Sequence, residues 1–316
     1  MNLANWMERM STILENKMLD QIILPGTHDS AAYQFDPGAH YQSCWLNLAA
    51  HSSRLVHKCL KSWMFTQSEN IYEQLLSGIR SFDLRVYYDM VHKHFMLAHT
   101  FASVPLEDFC HIIKNFLKDY PGEIVLLTVS PDWVNNLNME QYYGKLLELF
   151  VGIFGEMIYP VDNNFPTYGS MRKQGKPIII IIDVSQNVIS PYFWSIDRAY
   201  YLWFDIDSVE EYWRLLSGYT PVNDGKYHAL YYTLVPQTKR VVCDILGRIF
   251  LPYKRADSVY QLSLKLNARF DDLVQYLLEG HPFSSVYFDF PTPRMVRKII
   301  RLNKLIRWPD RCANGS

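Results

Sequence analysis

Four short segments carry residue types that could move protons and hold an anionic group. Leu24-Pro25-Gly26-Thr27-His28-Asp29-Ser30 places an imidazole and a carboxylate directly after an apolar run. Gly78-Ile79-Arg80-Ser81-Phe82-Asp83-Leu84-Arg85 sets a carboxylate and a guanidinium two residues apart. On a strand these share one face, and Phe82 and Leu84 point to the other. Met96-Leu97-Ala98-His99-Thr100 ends an apolar run on a second histidine, and Phe288-Asp289-Phe290 holds a carboxylate between aromatics. Singly, each has an ordinary structural explanation. A histidine beside a strand hydrogen-bonds, Asp83 and Arg85 make a buried ion pair, and Asp289 caps a following helix. Together they would supply one rim with two histidines, three carboxylates and an arginine. Histidines with carboxylate partners suit general acid and base work near neutral pH. A planar, permanently charged guanidinium suits charge developing on a phosphate.

Such a rim requires strands that end together. Apolar runs recur at 22–24, 79–87, 95–98, 124–129, 178–182, 200–204, 230–235 and 286–290, giving eight candidate strands. Runs with no polar face read as strands covered on both sides, as in a parallel sheet. Helical spacing recurs between them. Phe109, Ile112, Ile113, Phe116 and Leu117 mark a helix over 106–120, which Pro121-Gly122 stops. Similar patterns cover 139–154, 208–216, 270–278 and 293–306, and a further helix is expected near 3–17. Alternation of this kind predicts an α/β fold, a (β/α)8 TIM-like barrel, with reacting groups at the C-terminal strand ends. A doubly wound sheet is the alternative. With no repeat, low-complexity tract or linker, a single domain over 1–316 is expected.

Composition narrows the function classes. The 316 residues are 49% hydrophobic and 20% charged, with 31 Lys+Arg against 32 Asp+Glu, which excludes a strongly basic nucleic-acid binder. Five widely spaced cysteines without a C-x-x-C pair point to a reducing, cytoplasmic setting and away from a zinc site. No signal peptide and no membrane span is expected, so any membrane association is peripheral.

The first two segments together resemble the X-domain signature of phosphatidylinositol-specific phospholipase C, and the likeness is strongest to the small proteins that carry the X domain alone. It continues through Trp63-Met64-Phe65-Thr66-Gln67, His99, Pro121-Gly122-Glu123-Ile124-Val125-Leu126-Leu127, Ile153-Phe154-Gly155-Glu156-Met157 and Phe288-Asp289-Phe290. The resemblance implies a distorted (β/α)8 barrel and cleavage of phosphatidylinositol to diacylglycerol and a cyclic inositol phosphate. It implies His28 as general base oriented by Asp289, His99 with Asp29 as general acid, and Arg85 on the non-bridging phosphate oxygens. Asp83 would hold Arg85 or contact the inositol. Asp183, Asp205 and Trp203 are further candidates for the inositol ring. The calcium-dependent branch has a carboxylate where this chain has Arg85, so no metal and no cofactor is expected. The bacterial enzymes carry a basic residue near Ser130 that this sequence lacks.

The expected partner is a phospholipid at a membrane surface, with no nucleic acid and no obligate protein partner. The insertion at 33–63, with Tyr41, Trp45, Leu46, Leu48 and Trp63, is either a lid or a membrane contact. The basic helix at 293–306 reads as a solvated outer helix with Met295, Val296, Ile299, Ile300 and Leu302 inward. His92 and His94 belong to a turn before the third strand. The alternatives to the phospholipase are a phosphodiesterase on another glycerophospholipid or sphingolipid headgroup, and a catalytically silent lipid-binding relative.

Overall fold

Side chains with no polar face to show to water are stable only in strands covered on both sides, and most of the apolar runs become staves of one sheet. The computed structural model describes residues 2–35, 54–133, 137–183, 190–220, 222, 224–250 and 257–308. Tyr41, Trp45, Leu46, Leu48, Cys44 and Cys312 lie outside them. Ten strands form among the described residues: β1 (Leu24–Thr27), β2 (Ser81–Asp89), β3 (His94–His99), β4 (Phe101–Pro105), β5 (Val125–Trp133), β6 (Ile178–Ile182), β7 (Phe193–Ser195), β8 (Ala199–Leu202), β9 (Tyr227–Tyr232) and β10 (Ser285–Phe288). Eight of them run parallel in the order β7-β6-β5-β2-β1-β10-β9-β8. The sheet is a nearly closed α/β barrel, with β7 and β8 at its two edges.

Three strand expectations change. The run at 95–98 is no stave. It becomes β3, antiparallel to the outer half of β2, with Val86 opposite Leu97 and Asp89 opposite His94. It reads like a stave because Phe95, Met96, Leu97 and Ala98 are all buried. The eighth stave is instead β7, three residues long and too short for a periodicity signal. The first run, read over 22–24, becomes β1 at Leu24–Thr27 and takes in Pro25 and Gly26. Gly26 is required there, because a Cβ would sit 2.6 Å from the Tyr287 ring. The run at 230–235 also begins earlier, at Tyr227, and ends at Tyr232.

The helices Leu106–Asp119, Met139–Phe154, Phe270–Leu278 and Pro293–Leu305 fall where their spacing predicts. The last buries Met295, Val296, Ile299, Ile300 and Leu302. Near 3–17 the chain makes two short helices, Trp6–Arg9 and Ser11–Leu14. Arg54–Met64, Ile71–Leu76 and Thr238–Phe250 are helices that the spacing did not disclose.

Two motif residues act in the scaffold. Arg80, at the N-terminal end of β2, pairs with Glu123 at 2.7 Å, both fully buried. Arg80 donates to the carbonyl of Ala4 at 2.6 Å, and Glu123 accepts from the backbone of Glu8 at 3.0 Å. The pair fastens the N-terminal helices across the barrel floor, and each charge is buried with its hydrogen bonds met. Higher in the barrel, Tyr287 Oη lies 2.6 Å from Ser81 Oγ and 3.0 Å from Thr128 Oγ1, forming a hydroxyl layer below the C-terminal rim.

Candidate active site

Neighbouring staves β10, β1 and β2 deliver five of the candidate residues to one end of the barrel. β1 ends at Thr27, and His28 and Asp29 follow. His28 N–H donates to the Phe288 carbonyl at 3.1 Å, so the end of β10 fixes the turn. Asp289 is the residue after β10. β2 carries Asp83 and Arg85 on its inner face and runs on past the rim to Asp89. That overrun lets β3 fold back and return His99 to the rim, so His99 arrives from a hairpin and not from a stave.

Three non-glycine residues adopt left-handed backbone here: Asp29 (φ 40°), Thr100 (φ 65°) and Phe290 (φ 48°). Each is a candidate catalytic residue or directly follows one. Such conformations cost about 1–3 kcal/mol each and persist where the surroundings over-determine them.

The side chains form one hydrogen-bonded set. His28 Nδ1 lies 2.9 Å from Asp289 Oδ1, and His28 Nε2 lies 3.2 Å from Asp29 Oδ2. The same Asp29 oxygen is 3.3 Å from His99 Nε2. His99 Nδ1 donates to the Met64 carbonyl at 2.9 Å, which fixes its ring. Arg85 Nε is 3.3 Å from Asp29 Oδ1, and Arg85 Nη2 is 3.4 Å from Asp83 Oδ2. Asp29 therefore stands between two imidazoles and a guanidinium.

Burial alone would lower the His28 pKa, but the Asp29 and Asp289 carboxylates outweigh it and raise it to about 9. Burial alone would raise Asp29, but His28, His99 and Arg85 reverse this and hold it at about 2. Burial pushes Asp289 up from the ordinary carboxylate value, against the pull of His28.

A divalent cation fits this set poorly. His28, Asp29 and Asp83 do present ligand atoms within 4.8 Å of one another. Both nitrogens of His28 face carboxylates, however, and the Arg85 guanidinium already lies within 3.4 Å of Asp29 and Asp83. A hard cation needs several oxygens and would meet a fixed positive charge there.

The set opens into a cleft of about 350 Å³ lined by His28, Asp29, Arg85, His99 and Asp289. Trp63, Met64, Trp203, Leu234, Val235, Pro236 and Val259 form its apolar wall. Leu234 and Val235 are thus apolar as wall residues and not as strand residues. Asp83 lies fully buried beneath. Trp203 lines the cleft and is 48% exposed. Asp183 and Asp205 are not among the lining residues: Asp183 is exposed after β6, its carbonyl bonded by Tyr143, and Asp205 Oδ1 accepts from Gln237 at 3.2 Å. His92 sits in the β2–β3 turn, 2.7 Å from Asp89 and stacked on His94.

Two positioning residues carry no recognisable chemistry in the sequence. Gln67 Nε2 donates to the carbonyls of His28 at 2.8 Å and Phe288 at 2.9 Å, and Thr66 Oγ1 donates to those of His28 and Asp29 at 3.1 Å. They tie the end of β1 to the end of β10. Only their place in the Trp63–Gln67 likeness signalled them.

The profile of the family described as phosphatidylinositol-specific phospholipase C, X domain, matches residues 43–181. That stretch holds Asp83, Arg85 and His99 and leaves out His28, Asp29 and Asp289. PI-PLC X domain-containing protein 2 of Mus musculus is 27% identical over 256 residues, covering 77% of this chain and 73% of its own length. The Homo sapiens protein of the same description is 26% identical over 255 residues, covering 77% and 81%. Among solved structures, the phosphatidylinositol-specific phospholipase C from Listeria monocytogenes superposes with a TM-score of 0.67 at 19% identity, covering 95% of this chain and 98% of that one. A mutant form of the enzyme from Staphylococcus aureus gives 0.66 at 16% identity, covering 95% and 97%. At these identities the solved structures speak for the fold.

Proposed function

We propose that this chain, which belongs to the phosphatidylinositol-specific phospholipase C X-domain family, cleaves a phosphatidylinositol-type phospholipid by acid–base catalysis at the His28–His99 cleft. One observation carries the reading: two imidazoles, each with a carboxylate partner, share one apolar-walled cleft with a guanidinium.

The inositol 2-hydroxyl oxygen attacks phosphorus as its proton passes to His28. The bond from phosphorus to the glycerol oxygen breaks, and His99 gives that oxygen a proton. The products are diacylglycerol and a 1,2-cyclic inositol phosphate. Arg85 bears on the non-bridging oxygens, where charge grows in the transition state. Asp289 orients His28 through Nδ1. Its other nitrogen, Nε2, rests on Asp29 at 3.2 Å, so substrate must displace that contact to reach the base. The apolar wall suits the glycerol end of the lipid and keeps water from the phosphorus. No step needs a metal. No helix among the described residues is long and apolar enough to cross a membrane, and the lipid would be met at a surface.

The roles separate with an activated leaving group. On an inositol phosphodiester of p-nitrophenol, which leaves without protonation, His99→Ala retains most of the wild-type rate and His28→Ala loses at least about 100-fold. Equal loss in both variants would remove the division of labour.

A further inference from the structure

We propose that the helix Thr238–Phe250 docks this protein on a lipid bilayer beside the cleft. The partner rests on the reading of the cleft as a lipid phosphodiesterase site, and the surface rests on the helix itself.

The helix carries an apolar stripe that it does not bury. Val242, Leu246 and Phe250 recur every four residues and are 44%, 48% and 74% exposed. Its protein-facing side combines Val241 and Ile245, which pack on neighbouring apolar clusters, with polar contacts. Asp244 is buried, accepts from Trp63 Nε1 at 3.1 Å and pairs with Arg248 at 2.7 Å. Arg240 anchors the first turn to Asp207 and Asp257, at 3.1 and 2.8 Å. A helix stabilised only by its own domain hides its apolar stripe and shows its charges. Here Val241, Ile245 and the ion pairs hold the helix in place, and the stripe of Val242, Leu246 and Phe250 is left to another medium.

That medium is a bilayer surface because the helix that bears the stripe begins beside the apolar wall of the cleft. Leu234, Val235 and Pro236 line the cleft, and the helix starts two residues later. Trp203, on the same cleft, and Tyr260, next to the lining residue Val259, are 48% and 46% exposed. Both are side chains that favour the headgroup level of a membrane. Lys239 shares the face of the stripe by helical spacing and can extend its ammonium to the headgroups. With one lysine among three apolar residues, docking is an apolar event with little salt dependence.

The test is flotation with phosphatidylcholine vesicles free of inositol lipid, in low and high salt. Wild type floats with the vesicles in both. The variant Val242→Gln/Leu246→Gln/Phe250→Gln loses at least about tenfold in partitioning. Its melting temperature stays close to that of wild type, since these side chains are all exposed and Phe250 is 74% exposed. Leu305→Gln removes a leucine 62% exposed at the far end of the barrel and leaves partitioning unchanged. Equal flotation of the triple variant and wild type, or no flotation of wild type, overturns the proposal. A wild-type dimer that the triple variant disperses also overturns it, in favour of a second copy on the stripe. On monomeric short-chain phosphatidylinositol, wild type and triple variant turn over alike. Flotation of wild type with no turnover there would refute the phospholipase reading and leave the docking surface standing.

Discussion

His28 is the group on which the chemistry turns, and the carboxylate behind it sets its charge. With a pKa of about 9, His28 is about 1% neutral at pH 7 in the free protein. Asp289→Asn keeps an oxygen to accept from Nδ1 and removes the negative charge 2.9 Å away. A hydrogen bond to a charged partner contributes about 1.5–3 kcal/mol and a neutral one about 0.5–1.5, so the change is about 1–1.5 kcal/mol. At 1.36 kcal/mol per pKa unit this lowers His28 by about one unit and raises its neutral fraction at pH 7 to about 10%. The assay is an NMR titration of the imidazole nitrogens, with His28 identified by its absence from His28→Ala. The ascending limb of kcat/KM against pH shifts down by the same unit. A wild-type His28 titrating near the ordinary value of 6.5, or an unchanged value in Asp289→Asn, would refute the electrostatic account.

The same charges link stability to pH, in opposite senses at the two ends of the scale. His28 is raised on folding, so its contribution is whole below about pH 6.5 and is lost as pH climbs through about 9; at 1.36 kcal/mol per unit it amounts to about 3 kcal/mol. Asp29 is lowered, so its contribution is whole above about pH 4 and is lost as pH falls through about 2. Guanidinium midpoints for wild type should therefore fall between pH 6.5 and 9, and the His28→Ala curve should be flat there. Glu123→Gln leaves Arg80 buried without its counter-charge; it should cost about 3–5 kcal/mol in denaturant unfolding and spare turnover per folded molecule. Arg85→Lys loses the planar fork shared between Asp29 and Asp83; kcat should fall about 100-fold or more in vesicle assays, with the fold intact by circular dichroism.

What could be read from the sequence follows the physics of each residue. His28, Asp29, Asp83, Arg85 and Asp289 were legible because they sit at the ends or on the inner face of true staves, where a period of two decides direction. His99 was placed at the rim by a wrong route. Its apolar run reads as a stave, and the hairpin overrun of β2 brings it there instead. The stave count of eight survived because the short β7 replaced it. Asp183 does follow a stave, the five-isoleucine β6, but it stands exposed and outside the cleft lining. Strand position gives the end of the barrel and not the direction of a side chain in the loop beyond it. Apart from the Trp63–Gln67 likeness, nothing marks Thr66 and Gln67, because hydrogen bonds to distant carbonyls leave no periodic trace. The helix Thr238–Phe250 gives no clean one-sided spacing because apolar residues stand on two faces: Val241 and Ile245 pack inward, and Val242, Leu246 and Phe250 are exposed.

The central claim is tested most directly by phosphorus NMR of phosphatidylinositol vesicles incubated with the protein in excess EDTA, with His28→Ala alongside. A five-membered cyclic phosphate signal from wild type, unaffected by the chelator and absent from His28→Ala, is the predicted result. Silence from wild type that calcium does not restore would remove phosphatidylinositol as the substrate. A signal that appears only when calcium is added would contradict the assignment of the cationic place to Arg85.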